Sequence, residues 1–408
     1  MSPLVALDDV RAEILDAVTR LDARDVPLRD AHGLVLATAV TADEPVPPFA
    51  NTAVDGYAVR AADTAGAASD AVVVLRVVDE LAAGRAPQIE VGPGEAIRIM
   101  TGAPMPAGAD AVVMVERTRR AGDDVEIEAE ARPGNHVRPA GGDLEAGQTV
   151  FAAGQVLGAA AIGVIASVGA TRVRVFPRPR VGVLSTGDEL VDSGPLDPGK
   201  IRDSNRPMLL GLVREAGLEP IDLGIAVDDE ERIVATLEEA FSRCDAVLTS
   251  GGVSVGDYDY VKAALERFGA LEWRQVAIKP AKPLAFGVVR GVPVFGLPGN
   301  PVSSLVSFEC FARPALLQMA GRAQRFRPEV VAIAEHAMPR KRDGKLHLDR
   351  VRVRWHDDGY RAASTGAQES NVLSATAVAN GLTLVEDGDG VAAGAPVRVM
   401  LLDATPDH

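Results

Sequence analysis

Between about Pro177 and Met319, short apolar strands alternate with helices, and four Gly- or Pro-rich loops fall directly after strands. The loops are STGDE (185–189), SGGVSVGDYD (250–259), KPAKP (279–283) and LPGNP (297–301). The spacing predicts strands at 181–185, before Gly224, at 246–250, near 275–278 and at 294–297. Helices are predicted over 205–216, 231–241, 260–268 and 302–319. That alternation implies a doubly wound, parallel-type sheet with helices on both faces. In such a sheet the loops after strands gather along the carboxyl edge, where ligands bind. One such loop is ordinary turn punctuation. Four on one edge define a crevice.

The flanks read differently. Val5, Val10, Ile14, Val18 and Leu21 recur at helical intervals, predicting helix through the first forty residues. The stretch EPVPPFANTAVDGYAVR (44–60) is too punctuated for either regular element. From about Ala71 to Val137 the runs VVVLRVV, EAIRIM, DAVVMVE and DVEIEAEA predict a small all-β insert. Beyond Arg325–Pro328, short β runs predict a C-terminal barrel or sandwich. The expected division is a discontinuous N-terminal region (1–46 and 143–176), an insert (47–142), an α/β domain (177–325) and a barrel (326–408). The uncharged stretch 150–171 is rich in Ala and Gly and broken by Gly154 and Gly158. It is read as a buried helix from about Leu157 to Val168, not a membrane span. A cytoplasmic protein is expected, with no secretory signal, since Asp8, Asp9 and Glu13 interrupt the opening turns.

The formal net charge of −15 excludes a general nucleic-acid binder. An anion can bind such a chain only where local cations or a metal reverse the sign. The strand-end loops offer that reversal. Gly251 and Gly252 allow close backbone approach to an anion, and Ser254 adds a hydroxyl. Lys279 and Lys282 sit within four residues, their wandering limited by prolines. Pro298 and Asn300 lead into a helix N-terminus, which attracts oxyanions. Carboxylates crowd the same loops: Asp188, Glu189, Asp228, Asp257 and Asp259. Beside a phosphate they call for a hard divalent cation, Mg2+, with Glu189, Asp228 and Asp259 as the candidate ligands. One of Asp228 and Asp229 is expected to cap the following helix instead. Cys244 and Cys310 stand apart, and the six histidines have no metal-ligand spacing, so zinc chemistry and His or Cys nucleophiles are excluded. The residues alone therefore reach a Mg2+-dependent enzyme acting on a phosphoanhydride or phosphoester.

Several strings resemble those of the molybdopterin molybdenumtransferases, the MoeA family that includes the carboxy-terminal domain of gephyrin. They are NTAVDGYAVR (51–60), RIMTGAPMPAGADAVV (98–113), STGDEL (185–190), DSNR (203–206), SGGVSVGDYDYVK (250–262), KPAKP (279–283) and GLPGNPVSS (296–304). The resemblance implies an elongated N-terminal region, a β insert, a molybdopterin-binding α/β domain and a C-terminal barrel, assembled as a homodimer. It implies insertion of molybdate into adenylylated molybdopterin with Mg2+-dependent release of AMP. By the same resemblance Glu189 and Asp259 handle the metal and the anhydride, Asp55 and Asp143 complete the site, and Thr101 lines it. Lys279 and Lys282 hold phosphate or molybdate, and Arg350 and Ser370 resemble molybdate-binding positions. Further partner candidates are the molybdopterin adenylyltransferase or acceptor molybdoenzymes. Relatives commonly carry glycine where Ala281 stands, so a position needing positive φ would be strained here. The alternatives are an adenylyltransferase-like enzyme, which lacks the flanking β domains, and a gephyrin-type dimeric scaffold.

Overall fold

The computed structural model describes residues 3–251, 260–269 and 271–403. The chain divides into two compact units. The first holds residues 1–24, 33–37 and 175–408, and the second holds 25–32 and 38–174.

The first unit is built on a seven-stranded sheet. Its order is Leu4–Val5, Leu271–Val276, Pro283–Val289, Val292–Leu297, Ala246–Ser250, Arg180–Thr186 and Glu219–Ala226. The last four are mutually parallel. The sequence reading missed Pro283–Val289, which runs antiparallel to both its neighbours. The expected parallel-type sheet thus carries one antiparallel strand. Pro283 and Gly287 masked a strand whose apolar residues Leu284, Ala285 and Val289 are buried.

Side-chain alternation explains the two covered faces. Val181, Val183, Ala246 and Leu248 pack against Leu209, Leu210 and Val213 of helix Asn205–Glu215. Leu184 and Val247 face the other way, onto Ile233, Val234 and Leu237 of helix Glu230–Arg243. The expected N-terminal helix is shorter than its pattern, Leu7–Ala17. Val18 already has extended ψ, and the Leu21 N–H donates to the Met319 carbonyl. Apolar spacing alone did not reveal that tertiary partner. The long helix beginning at Pro301 contains one wider turn at Phe308–Ala312, where Glu309 is buried against Arg327.

The barrel is closed by Glu329–Ala334, Gly359–Ser364, Arg350–His356, Gly381–Thr383 and Pro396–Leu401, in agreement with the sequence expectation.

The second unit centres on a six-stranded sheet. Its order is Thr118–Ala121, Asp124–Ile127, Val73–Leu81, Glu95–Ile99, Gly56–Val59 and Ala111–Met114. Gly56–Val59 lies inside the stretch expected to be irregular, and it is buried between two antiparallel neighbours. A four-residue strand flanked by Asp-Gly and Arg is too short for its periodicity to show. Asn51–Thr52 pairs with Val137–Arg138, and the Asp143 N–H donates to the Val46 carbonyl, so both ends of the segment are tied into this unit. The uncharged stretch ends the strand Thr149–Phe151 and then forms the helix Ala159–Ser167, and no described helix is long and apolar enough to cross a membrane.

Candidate active site

The parallel register Ser185↔Ser250↔Leu297 brings the first, second and fourth loops to one sheet edge. They are also cross-linked. The Gly251 N–H donates to the Leu297 carbonyl at 3.1 Å. Asn205 Nδ2 donates both to Ser250 Oγ (2.8 Å) and to the Gly299 carbonyl (2.7 Å). Gly251 has φ +100°, and a Cβ there would stand 2.8 Å from the Thr186 carbonyl oxygen. Only glycine permits that approach.

The third loop reaches the same edge by another route. Leu271–Val276 runs parallel to Val292–Leu297, with one antiparallel strand between them, so its carboxyl end faces the same way. That carboxyl end is followed by Ile278–Lys279, which pairs in parallel with Leu346–His347. The Leu346 and Leu348 N–H groups donate to the Ala277 and Lys279 carbonyls, each at 2.8 Å. The Lys279–Pro280 bond is cis, and Ala281 has φ +75° with its side chain buried. The positive φ suspected for that position is present. Four strand spacings separate Arg180–Thr186 from Leu271–Val276, about 19 Å along the edge. Such an edge accommodates an extended ligand. Among the described residues, neither Lys279 nor Lys282 makes an ion pair.

The carboxylates divide. Asp188 Oδ1 accepts the Asp228 N–H (3.0 Å), and Asp228 Oδ2 accepts the Asp188 N–H (3.3 Å), which joins their loops. Asp229 caps helix Glu230–Arg243 by accepting the Arg232 N–H at 2.9 Å, the capping role expected for one of the pair. Glu189 is exposed on its loop, and its carboxylate folds back beside Gly187. Gly252, Ser254, Asp257 and Asp259 lie outside the described residues. Among the described residues no group of three His, Cys, Asp or Glu could hold a metal. The described carboxylates alone therefore do not make a Mg2+ site.

Sequence reasoning missed the knot beneath these loops. Asp203 accepts from Ser185 Oγ and from the N–H groups of Asn205 and Arg206, each at 3.1 Å. Arg206 is buried and reaches Asp203 (3.1 Å), both oxygens of Asp222 (2.7 and 2.5 Å) and Asp192 (2.5 Å). Burial alone would depress the Arg206 pKa and raise that of Asp222. Their mutual hydrogen bonds outweigh this and hold both charged. DSNR was visible as a string. Its role as an N-terminal helix knot needed the coordinates.

Of the C-terminal positions, Arg350 is fully buried and donates to three backbone carbonyls, those of Ala367 (2.8 Å), Gln368 (3.0 Å) and Glu369 (3.1 Å). Burial lowers its pKa. The guanidinium shapes the loop in this structure, where an open fork was expected. The next residue, Ser370, offers its carbonyl to the Val302 N–H (3.2 Å), at the helix start that follows Pro298 and Asn300.

In the second unit, Asp55 Oδ1 accepts from both the Thr101 N–H (2.7 Å) and the Thr101 hydroxyl (2.6 Å). These bonds, with a smaller contribution from Arg98, hold the Asp55 pKa below its usual value. Asp143 is exposed in the same unit.

An α/β core and a closed barrel in the first unit, with a separate six-stranded sheet in the second, define a multidomain α/β plus β protein. Three family profiles match in series: the MoeA N-terminal region (domain I and II) over residues 5–169, a probable molybdopterin binding domain over 182–318, and the MoeA C-terminal region (domain IV) over 338–402. The chain is 43% identical to molybdopterin molybdenumtransferase 2 of Mycobacterium tuberculosis, covering 92% of this chain and 94% of that one. It is 37% identical to the Nostoc molybdopterin molybdenumtransferase, covering 98% and 94%. A crystal structure of the Pyrococcus horikoshii molybdopterin biosynthesis MoeA protein superposes with TM-score 0.77 at 32% identity, covering 98% of this chain and all of that one. The chain belongs to the MoeA family.

Proposed function

We propose that this chain is a molybdopterin molybdenumtransferase that inserts molybdate into adenylylated molybdopterin and releases AMP, the last common step of molybdenum cofactor synthesis. The observation that carries the reading is the carboxyl edge of the first sheet. There, the close backbone turn at Gly251, the paired lysines and the Glu189 and Asp228 loops share one rim of an otherwise acidic molecule. Lys279 and Lys282 neutralise an oxyanion, which a −15 chain must do locally. The helix start beyond Asn300 adds the positive end of the helix dipole. Glu189 and Asp228, with Asp259, would hold Mg2+, which supplies charge neutralisation at the anhydride. Asp55, held ionised by Thr101, and Asp143 act from the second unit. Arg350 acts through the loop that carries Ser370.

The enzyme is proposed to work as a cytoplasmic homodimer. The four-part division at residues 46, 142, 176 and 325 is proposed as its domain plan. The test is incubation of the purified chain with adenylylated molybdopterin, molybdate and Mg2+, following AMP and molybdenum cofactor. Stoichiometric AMP release that stops on adding EDTA is the expected result. A chain that forms no cofactor and frees no AMP would leave the scaffold reading in its place.

A further inference from the structure

At one end of the second unit's sheet, Tyr57 stands directly opposite Arg98 on the antiparallel pair Gly56–Val59 and Glu95–Ile99. The Arg98 guanidinium carbon lies 5.0 Å from the centroid of the Tyr57 ring, and that ring is itself buried. Stacking of this kind fixes the plane of the guanidinium and so pre-organises its donors. Its Nη1 is buried and finds no hydrogen-bond partner. Among the described residues no carboxylate forms an ion pair with it. Asp55 lies at the same sheet end and feels the Arg98 charge, but its Oδ1 is taken by the two Thr101 donors. The site thus holds a fixed cation with a desolvated donor unused, next to an ionised carboxylate whose Oδ2 is not engaged among the described residues.

An unpaired buried donor is unfavourable until an acceptor arrives. A bare dianion would meet repulsion from Asp55. A phosphoester that carries a neighbouring hydroxyl satisfies both groups, with its phosphate oxygen accepting from Arg98 and its hydroxyl donating to Asp55. We propose that Arg98 binds a phosphoester oxygen of the substrate while Asp55 Oδ2 accepts from a hydroxyl of the same ligand. A nucleoside 5′-phosphate group has that chemistry. This inference rests on the reading of Asp55 and Thr101 as substrate-handling residues.

The test uses the full chain, with AMP and inorganic phosphate as calorimetric probes, in wild type, Arg98→Met and Arg98→Lys. Met keeps an apolar stem against Tyr57 and removes the charge. Arg98→Met should weaken AMP binding at least tenfold and raise KM for adenylylated molybdopterin more than it lowers kcat. Arg98→Lys should recover part of both, and wild type should bind AMP more tightly than phosphate. A purely structural role predicts that both variants bind AMP as wild type does, and that result overturns the proposal. Wild type failing to bind AMP, or preferring bare phosphate, overturns it as well. Should Arg98→Met not fold, Arg98→Lys carries the same comparison, since unchanged AMP affinity and KM there would also refute the guanidinium's role. Full insertion activity in a Lys279→Ala, Lys282→Ala double variant would sink the wider site reading. A silent Arg98→Met beside an inactive double-lysine variant sinks only this inference.

Discussion

Two cationic places in the first unit are built on opposite principles. Arg206 sits beneath the strand-end loops with its guanidinium nitrogens spent on Asp203, Asp222 and Asp192. Lys279 and Lys282 stand on the same sheet edge and are paired with no carboxylate among the described residues. Both places lie in a chain where acids outnumber bases, so the lysines' lack of partners is not for want of candidates. A saturated cation fixes structure, because its charge is already neutralised at short range. An open pair leaves its field available to a ligand. Residue type alone does not separate these roles, since all three side chains are basic. The count of acid partners does.

The sharpest test of that contrast is Arg206→Met. It strands Asp203, whose side chain is only 1% exposed, without its cation. Loss of about 3 kcal/mol in unfolding free energy is expected, measured by denaturant titration. A cost well under about 1 kcal/mol would mean that the Ser185 hydroxyl and two backbone N–H groups suffice for Asp203. The lysine pair should behave conversely. Lys279→Ala with Lys282→Ala should slow molybdenum insertion about 100-fold. Unfolding free energy should stay within about 0.5 kcal/mol of wild type. If stability falls with activity, the distinction between the two places fails.

A third test sits behind the lysine loop. Asp343 contacts Lys345 at 3.1 Å and His347 at 3.2 Å, and His347 is the strand partner of Lys279. Burial would raise the Asp343 pKa, but the bonds from Lys345 and His347 lower it from 3.8 to about 2. A depressed carboxylate stabilises the fold above its unfolded pKa and loses that contribution as pH falls through the folded value. Asp343→Asn should therefore cost up to about 2 kcal/mol at neutral pH. Paired denaturant midpoints should converge between about pH 4 and pH 2. A gap unchanged across that window would show that the side chain acts by packing alone.

The smallest effect is expected at Ala281. Relief of a left-handed alanine is worth about 1 kcal/mol. Against it stand the added freedom of an unfolded glycine, about 0.4–1 kcal/mol, and one buried methyl, about 0.8 kcal/mol. Ala281→Gly should therefore shift stability by under about 0.5 kcal/mol, with the insertion rate within about twofold of wild type. A larger rate change at constant stability would show that the methyl group steers Lys282.

Local pattern was enough wherever the period was long or the loop chemistry strong. Helices 205–215 and 230–243 and strand 246–250 fall where apolar spacing put them, and the barrel strands other than Gly359–Ser364 follow their β runs. Short or punctuated elements escaped. Gly56–Val59 is too brief to show a period, and Pro283–Val289 is disguised by its proline and glycine. In both, burial between neighbouring strands supplies the stability that local propensity lacks. Within the candidate site, Lys279, Lys282, Gly251 and the acidic loops could be picked out because Gly, Pro and charge after a strand carry a chemical meaning of their own. Asn205, Asp203 and Arg206 could be quoted but not understood. Arg98 was not singled out at all.

The sequence by itself determined the helices and the parallel strands of the α/β core, Pro283–Val289 excepted, and hence that the Gly- and Pro-rich loops share an edge. That follows because strand direction and side-chain period are local properties of the chain. Only the tertiary structure decided which charges are spent and which are free. Arg206 meets acids up to 16 positions away, Arg98 meets the ring of a tyrosine 41 positions before it, and Arg350 turns inward onto carbonyls 17 to 19 residues ahead. Neutralisation depends on distance in space, and chain separation does not encode that distance.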